Sequence, residues 1–354
     1  MTSRQRVLTA LSRNLPDKVP MDIAGFNREA FKIFQEKTDS DNPEEYFNLD
    51  FRWVFFKPTR IDLNQFRKFH SDLPPTATFN EWGTAFIPGE EISAFDHFIA
   101  PLTQINSVKA LEEYPLPDIM EDYRHKDLEG EVLGIKGRDF AVVGWMPMTI
   151  FEVAWQIRGF DELLTDFTLN EKYAQCLLDR ITELRCRQAR RYAESGIDIL
   201  HIGDDVGMQD RLIISPDLWR KWLKERLGKV IASALNVNPD LFIFYHSDGY
   251  IEPIIPDLID IGINVLNPVQ PECMDPVRLK RMFGNRLAFW GTIGTQTTMP
   301  FGLPDEVKRT VKGMIETVGK GGGLMIAPTH VLEPEVPWEN VMAFVDAVEE
   351  YGRY

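Results

Sequence analysis

The sequence is poor in cysteine and has no excess of positive charge. Cys176, Cys186 and Cys273 are the only cysteines among 354 residues, and no two of them form a CxxC pair. An odd, low count argues against a disulfide framework and is typical of a reducing compartment. The net charge is −15, with 39 Lys and Arg against 54 Asp and Glu. This balance argues against binding to nucleic acid or to an anionic membrane, because both require basic surfaces.

Long apolar runs are also missing. No run reaches the length that spans a membrane, and the segment from Met1 to Leu11 has the pattern of an amphipathic helix instead of a secretory signal. We therefore expect a cytoplasmic protein. The glycine fingerprint that opens the first helix of a dinucleotide-binding fold is absent too, which weighs against that fold.

What the sequence does contain is a regular alternation of strand and helix patterns from Phe140 to Tyr351. The predicted strands are Phe140–Trp145, Asp198–Ile202, Leu241–His246, Asn264–Asn267, Leu287–Trp290 and Gly323–Ala327. The predicted helices are Asp161–Phe167, Glu171–Ser195, Pro216–Leu235, Ile251–Ile261, Pro276–Met282, Pro304–Val318 and Trp338–Tyr351. Strands that are each followed by a helix require a parallel sheet.

The first 80 or so residues have a different pattern. Helices are predicted over Arg4–Leu15 and Arg28–Lys37, around a short strand candidate over Val19–Ala24. A hairpin is predicted around Thr84–Phe98, a region that includes the turn-forming pair Pro88 and Gly89. We expect these segments to decorate the mouth of the main sheet.

The predicted fold class is α/β. Two strands from the N-terminal part would complete an eight-stranded (β/α)8 TIM-type barrel with an N-terminal helical extension, and a doubly wound open sheet is the alternative. We expect residues 1–354 to form a single domain, in which residues 1–80 supply helices and the first strand and residues 140–354 the regular repeats.

Polar residues stand where the apolar strands end, and in a barrel such residues face the site. The candidates at these positions are Asp22, Trp145, Asp204, Asp205, His246, Asp248, Asn267, Gln270, Thr292, Gln296 and His330. Clustered polar side chains are costly to bury without partners, so we expect a ligand, a metal or mutual hydrogen bonds to satisfy them.

Two histidines carry the most specific hypotheses. A neutral imidazole at His246 and a carboxylate at Asp248 suit zinc, although a structural histidine bonded to a turn carboxylate is the alternative. His330 follows the last strand and is predicted to be a catalytic acid or base near neutral pH, or a structural histidine. His201 lies inside its strand and is interpreted as a core or surface residue.

The adjacent carboxylates of Asp204 and Asp205 cannot both point the same way, so one of them should face the pocket. There it could serve as a general acid, a metal ligand or a binder of a cationic group, and helix capping is the alternative. Trp145 and Met148 supply an apolar wall for a planar or methyl-bearing substrate, or else ordinary packing surface. The residues assigned to substrate binding are Asp22, Trp145, Met148, Asn267, Gln270 and Gln296.

The motifs, taken in order along the chain, resemble those of the uroporphyrinogen decarboxylase superfamily, which includes decarboxylases and corrinoid-dependent methyltransferases. They are Arg4 to Val19 followed by Pro20, Gly203 to Gln209, His246 to Gly249, Asn267 to Gln270, Phe289 to Gly291, Gly321 to Gly323 and Pro337 to Asn340. The resemblance implies a (β/α)8 barrel that acts on a small molecule, and the superfamily includes homodimers.

The second half of the chain is more similar to the methyltransferase branch. The decarboxylase branch carries an arginine-rich segment where this chain reads Met21 to Arg28, and that segment has one arginine here. The methyltransferase branch holds zinc with His-x-Cys after one strand and a cysteine after the last. By position, the resemblance implies His246, Asp248 and His330 as metal ligands, with zinc as the metal.

The expected function is a metal-assisted methyl transfer from a small methoxylated or methylamine-type substrate to the corrinoid of a partner protein. In this hypothesis His330 or the metal polarises the leaving oxygen or nitrogen, and Asp204 or Asp205 orients the substrate. One alternative is a metal-independent decarboxylase that depends on Asp50 or Asp22. The other is a non-catalytic barrel that only binds a ligand.

Overall fold

The computed structural model describes residues 1–87 and 97–354. Its strands are β1 (Phe51–Val54), β2 (Thr78–Phe79), β3 (Ala85–Ile87), β4 (His97–Ile99), β5 (Ala141–Pro147), β6 (Ile199–Gly203), β7 (Phe242–His246), β8 (Val265–Asn267), β9 (Ala288–Ile293) and β10 (Leu324–Pro328). A seven-stranded sheet runs in the order β1-β5-β6-β7-β8-β9-β10. All adjacent strands within this sheet pair in parallel, as the alternation of strands and helices requires.

A short segment around Met21 takes the eighth position beside β10. Met21 forms a parallel bridge with Ile326, and the Asp22 N–H donates to the Ile326 carbonyl at 2.9 Å. The predicted strand over Val19–Ala24 is therefore correct only around this bridge. Pro20 has no N–H to give a ladder, and positive φ angles at Ala24 (56°) and Gly25 (87°) turn the chain away.

The strand order follows the chain order without the reversal that marks a doubly wound sheet, so the TIM-type barrel is confirmed. The second N-terminal strand is β1, which the sequence had not located. The helical extension is present before it. Its helices are α1 (Ser3–Leu11), α2 (Arg28–Thr38) and α3 (Pro43–Tyr46).

The other helices are α4 (Val108–Glu112), α5 (Asp122–His125), α6 (Leu128–Lys136), α7 (Phe151–Arg158), α8 (Phe160–Leu169), α9 (Glu171–Glu194), α10 (Pro216–Trp219), α11 (Glu225–Leu235), α12 (Ile255–Asp260), α13 (Pro276–Phe283), α14 (Thr298–Phe301), α15 (Pro304–Thr317) and α16 (Trp338–Tyr351). Most match the predicted helices within a few residues. The helix predicted over Pro216–Leu235 is interrupted by a π-helical turn at Arg220–Lys224. Helix α7 was not predicted, and it matters for the site.

A small antiparallel sheet, β2-β3-β4, lies outside the barrel. Strands β3 and β4 pair with Ala85 opposite Ile99, which confirms the predicted hairpin for the described residues. The turn predicted at Pro88 and Gly89 lies outside the described residues. Among residues 1–87 and 97–354, no helix is both long and apolar enough to cross a membrane.

The strand register stacks the inner side chains in layers, as in other barrels. Trp145 pairs with His201, and His201 pairs with Phe244, so one row of rings crosses β5, β6 and β7. Two residues further along the same strands, Pro147, Gly203 and His246 form the next row. We call the first row the ring layer. We call the second row the upper layer, because the second row lies nearer the carboxyl ends of the strands.

Candidate active site at the carboxyl ends of the strands

A cavity of about 340 Å³ opens where the barrel strands end. The predicted site residues that line it are Asp22, Trp145, Met148, Asp205, His246, Asn267 and His330. A smaller pocket of about 200 Å³ adjoins it through His330 and Val331. The predicted residues Asp248, Gln270 and Gln296 line that second pocket. The structure thus brings most of the predicted residues to one face of the barrel, but divides them between two spaces.

Three potential metal ligands converge at the upper layer. One ligand atom each from Asp205, His246 and Asp248 lies within 4.8 Å of the others. His246 Nε2 is 3.6 Å from Asp205 Oδ1 and 4.0 Å from Asp248 Oδ1. Asp248 Oδ1 is buried and has no hydrogen-bond partner among the described residues, which is costly for a carboxylate oxygen. One imidazole nitrogen and two carboxylate oxygens are a donor set that fits zinc.

The orientation of His246 is fixed by Asn267. The Asn267 Nδ2 group donates to the carbonyl of Trp290 at 2.8 Å, so its Oδ1 atom faces His246 Nδ1 at 2.5 Å. Because that oxygen can only accept, Nδ1 carries the proton and Nε2 keeps its lone pair. Nε2 is the nitrogen that faces the two carboxylates. The amide of Asn267 is therefore engaged on both sides, although its predicted role was substrate binding.

Hydrogen bonds tie the loops after β6 and β7 together. The Asp248 N–H donates to Asp205 Oδ1 at 2.8 Å, and the Val206 N–H donates to Ser247 Oγ at 3.1 Å. The Asp205 N–H in turn donates to Glu152 Oε2 at 3.1 Å. These bonds hold the carboxylates in place before anything binds, which is what a preorganised site requires.

Glu152 is a cavity residue that the sequence did not reveal. Burial, together with the neighbouring carboxylates of Asp205 and Asp204, raises the pKa of Glu152 to about 9. Its carboxyl group is therefore neutral near pH 7 and can donate a proton. Glu152 lies in the first turn of α7, shortly after β5. The sequence signal that could have identified Glu152 was an acid seven residues after the predicted strand end at Trp145. It was not used because α7 had not been predicted.

Asp204 turns away from the cavity. Its carboxylate accepts hydrogen bonds from the backbone N–H groups of Ile150 and Glu152, each at 3.0 Å. It thereby satisfies free donors at the start of α7, which is the capping alternative. Burial raises the pKa of this carboxyl group. Asp205 is the member of the pair that faces the cavity.

His330 lies at the edge of the cluster. Its Nε2 atom is 3.8 Å from Asp248 Oδ2, and its side chain is 46% exposed. Among the described residues, the three converging ligands do not include His330. The third member of the group, beside His246 and Asp248, is Asp205 and not the predicted His330. His330 lines both spaces, a position that suits contact with a substrate.

The remaining predicted residues are largely occupied by the protein itself. Asp22 is buried and accepts from Ile23 N–H, Ala24 N–H and Trp290 Nε1–H, while burial raises its pKa. Gln270 Oε1 accepts from the Gly249 N–H at 2.5 Å and so supports the turn after Asp248. The Gln296 N–H donates to Glu272 at 3.3 Å.

Trp145 and Met148 form the apolar wall, with exposures of 39% and 37%. Met148 has a positive φ of 49°, which is unusual for a non-glycine residue. The buried Arg185 side chain donates to the carbonyls of Met148 (2.9 Å) and Thr149 (3.2 Å) and supports this turn. His201 is 4% exposed, as its interpretation as a core residue predicts, and it also lines the cavity.

Of the two carboxylates assigned to a decarboxylase, Asp22 lines this cavity and Asp50 does not. Asp50 precedes β1, at the amino end of the strand, and binds Arg6 at 2.6 Å. Among the described residues, neither a lysine nor an arginine lines the cavity. A substrate with many carboxylates would meet acidic groups and aromatic rings there, without cations to neutralise it.

Comparison with known proteins agrees with this architecture. The model of the uroporphyrinogen decarboxylase (URO-D) family matches residues 137–351. The methylcobamide:CoM methyltransferase MtaA of Methanosarcina barkeri is 30% identical over 217 residues, which cover 61% of this chain and 60% of that protein. The chain therefore spans less than two thirds of that relative. The uroporphyrinogen decarboxylase of Coxiella burnetii (strain Dugway 5J108-111) is 22% identical over 182 residues, 50% of this chain and 47% of that one.

A solved structure shares the fold over nearly the whole length. It is a methyltransferase from Methanosarcina mazei, which superposes with a TM-score of 0.70 and covers 99% of both chains at 22% identity. A likeness at this identity supports the barrel architecture, including the N-terminal part that the family model does not cover.

Proposed function

The chain belongs to the uroporphyrinogen decarboxylase (URO-D) family, and from this premise we propose that it is a metal-assisted methyltransferase. It moves a methyl group from a small methoxylated or methylamine-type compound to the corrinoid of a partner protein. Similarity to a methylcobamide-dependent methyltransferase supports this choice of branch. The observation that carries the proposal is the convergence of Asp205, His246 and Asp248, with one buried carboxylate oxygen left without a partner.

The residues present fit zinc. Asp205, His246 and Asp248 would hold it, and His330 Nε2, 3.8 Å from Asp248 Oδ2, is close enough to this group to add a further ligand. When bound, zinc supplies Lewis-acid chemistry that polarises the oxygen or nitrogen atom from which the methyl group departs. The donor set contains no thiolate, so it suits activation of such a leaving atom better than activation of a thiol.

The chain's own residues perform the other tasks. Trp145 and Met148 shield the methyl-bearing part of the substrate from water. The reduced corrinoid of the partner would accept the methyl group and supply the electron pair for it, so the pair of the broken carbon–heteroatom bond stays on the heteroatom. His330, at the cavity edge, donates a proton to the departing heteroatom. Glu152 Oε2 accepts a hydrogen bond from the Asp205 N–H at 3.1 Å and so helps to hold Asp205 in position.

Decarboxylation of a porphyrinogen is disfavoured by the same site. A cavity of about 340 Å³ lies at the small end of ligand sites, which span roughly 300 to 1,000 Å³. Its described lining has no cation for the carboxylates of a tetrapyrrole. Asp50 lies at the opposite end of its strand.

The test is methyl transfer to free reduced cobalamin, followed by the change in its visible absorption spectrum. The zinc-loaded protein is offered methoxylated arenes or methylamines as methyl donors to cobalamin. In a separate assay, methylcobalamin is the methyl donor and a thiol is the acceptor. We expect turnover with a methoxylated or methylamine donor, and its loss in Asp205→Ala. Asp210→Ala is the matched control, because Asp210 lies in the same loop with an exposed side chain. Inactivity with every donor, or activity only with the thiol, would contradict the proposal.

A further inference from the structure

The ring layer beneath the metal-ligand group contains one polar side chain. The His201 ring lies between Trp145 and Phe244, with ring centroids 4.6 Å away on each side. The Trp145 ring is nearly parallel to it, at 9°, and Trp53 packs edge-on at 5.6 Å. All four rings line the cavity. The faces of the imidazole are therefore covered, and only its edge is available.

The upper layer leaves the column above His201 open. The next inward residue on β6 is Gly203, which stands between Pro147 and His246 in the register. A Cβ atom at Gly203 would lie 2.2 Å from the His246 carbonyl oxygen, so no other residue fits without displacing the backbone. Because glycine adds no side chain to this layer, the cavity reaches down to His201.

His201 is poorly satisfied by the protein. The residue is 4% exposed, and its Nδ1 atom is buried without a hydrogen-bond partner among the described residues. Burial, and to a lesser degree the nearby His246, lowers the pKa of His201 well below its ordinary value, so the ring is neutral. Nδ1 is buried, yet the ring lines the cavity. The part of the ring that faces the cavity is therefore its distal edge, which carries Nε2. Within residues 1–87 and 97–354, no hydrogen bond to Nδ1 fixes the tautomer of this ring, in contrast to His246.

We propose that His201 is a specificity-determining residue that hydrogen-bonds a polar substituent of a small, neutral aromatic substrate whose ring lies against the ring layer. This inference rests on the proposed function, since it directs the methyl-bearing atom of the same molecule to the Asp205, His246 and Asp248 end. The centroids of His201 and His246 are 6.1 Å apart, a distance that neighbouring substituents on one aromatic ring can bridge.

A neutral arene satisfies this subsite better than a methylated ammonium ion. An ammonium ion seeks free carboxylates, but Asp22 already accepts three hydrogen bonds and the Glu152 carboxyl group accepts one from the Asp205 N–H. Asp205 and Asp248 belong to the metal-ligand group. A quaternary ammonium has no hydrogen-bonding group for the His201 edge, whereas a ring hydroxyl can donate or accept there.

The test compares two probes that differ by one hydroxyl group. Binding of 2-methoxyphenol and of methoxybenzene is measured by titration calorimetry with the zinc-loaded protein, without corrinoid, so no turnover is needed. We expect 2-methoxyphenol to bind about tenfold more tightly, the equivalent of one buried hydrogen bond. In His201→Phe, which keeps the ring but removes both nitrogens, the preference should disappear while methoxybenzene affinity stays within about threefold. His201→Gln should restore part of the preference.

Several outcomes would overturn the inference. These are equal binding of the two probes by the parent protein, no binding of either, an unchanged preference in His201→Phe, or stronger binding of tetramethylammonium than of 2-methoxyphenol. Zinc content and thermal midpoint check that the variants are folded, and the parent comparison remains decisive if His201→Phe is not. If 2-methoxyphenol binds through His201 but no donor methylates cobalamin, the subsite stands and the proposed function fails.

Discussion

The upper layer and the ring layer are separated by two residues on the same strands. The upper layer and the loops that follow it present polar groups, whereas the ring layer is mainly aromatic. In the upper region, polar groups are bonded to one another, as His246 is to Asn267 and Asp205 to the Asp248 N–H. In the ring layer, aromatic faces pack and the one imidazole has a buried nitrogen without a partner. Since side chains alternate along a strand, a two-residue step changes the layer but keeps the inward direction. Catalytic and recognition functions can therefore be disrupted separately.

The largest separation between the layers should come from His246→Ala. Removing one of three ligands should lower zinc affinity by about 10²- to 10³-fold, because a structural site of four ligands is worth roughly 10–16 kcal/mol and one ligand contributes about a quarter of that. Methyl transfer should be lost with the metal. Zinc per protein after dialysis, measured by elemental analysis, checks this, and Asp210→Ala is the control. Full zinc retention would show that the metal is held elsewhere.

Phe244→Ala should have the converse effect. Phe244 is 3% exposed and packs on His201 and Trp290, so its truncation should reduce the free energy of unfolding by about 3–5 kcal/mol. Zinc binding should change little, because Phe244 offers no ligand. Denaturant unfolding together with zinc content measures both. A stable variant that has lost zinc would contradict the separation of the two layers.

Asn267→Ala should weaken zinc binding without abolishing it. Loss of the hydrogen bond to His246 Nδ1 frees the tautomer, and such partners are typically worth 10- to 100-fold in metal affinity, about 1.4–2.7 kcal/mol. A competition titration with a zinc chelator gives the affinity. Asn264→Ala, at the amino end of β8, is the matched control because its side chain bonds the Ile243 N–H instead. Equal affinities for both variants would argue against the orienting role.

Glu152→Gln should change the pH dependence of stability in the metal-free protein. The folded state keeps the Glu152 proton up to a pKa of about 9, whereas the unfolded state loses it near the ordinary value of 4.5. The folded state thus binds more protons between these values, and stability falls as the pH rises through this window. Glutamine removes that loss, so the thermal midpoint of the variant should exceed that of the parent increasingly from about pH 5 to pH 9. Parallel curves would contradict the raised pKa.

Much of the barrel was predictable because strand and helix periods are local signals. Each of the strands predicted after Phe140 is present within a few residues, and β7 ends at His246 as expected. The N-terminal strands were harder. The segment around Met21 makes a single bridge, and β1 is a four-residue strand with no helix pattern directly after it.

The site was predictable as a set of strand ends but not as a set of contacts. Adjacent Asp204 and Asp205 look equivalent in the sequence, and only the position of α7 decides that one caps and the other faces the cavity. Glu152 and His201 were not predicted to line the cavity. No local sequence pattern distinguishes a helical acid or a strand histidine that faces a cavity from one that does not. Trp145 was identified because it stands near a strand end.

The sequence by itself determined the parallel barrel, the face on which the polar groups meet and the family to which the chain belongs, because these follow from period, order and motif. Only the tertiary structure decided which side chains touch. The register places Gly203 above His201 and Asn267 beside His246, and burial among other carboxylates makes Glu152 neutral near pH 7. Distances and burial between residues far apart in the chain have no counterpart in local sequence patterns, so they appear only once the strands are aligned.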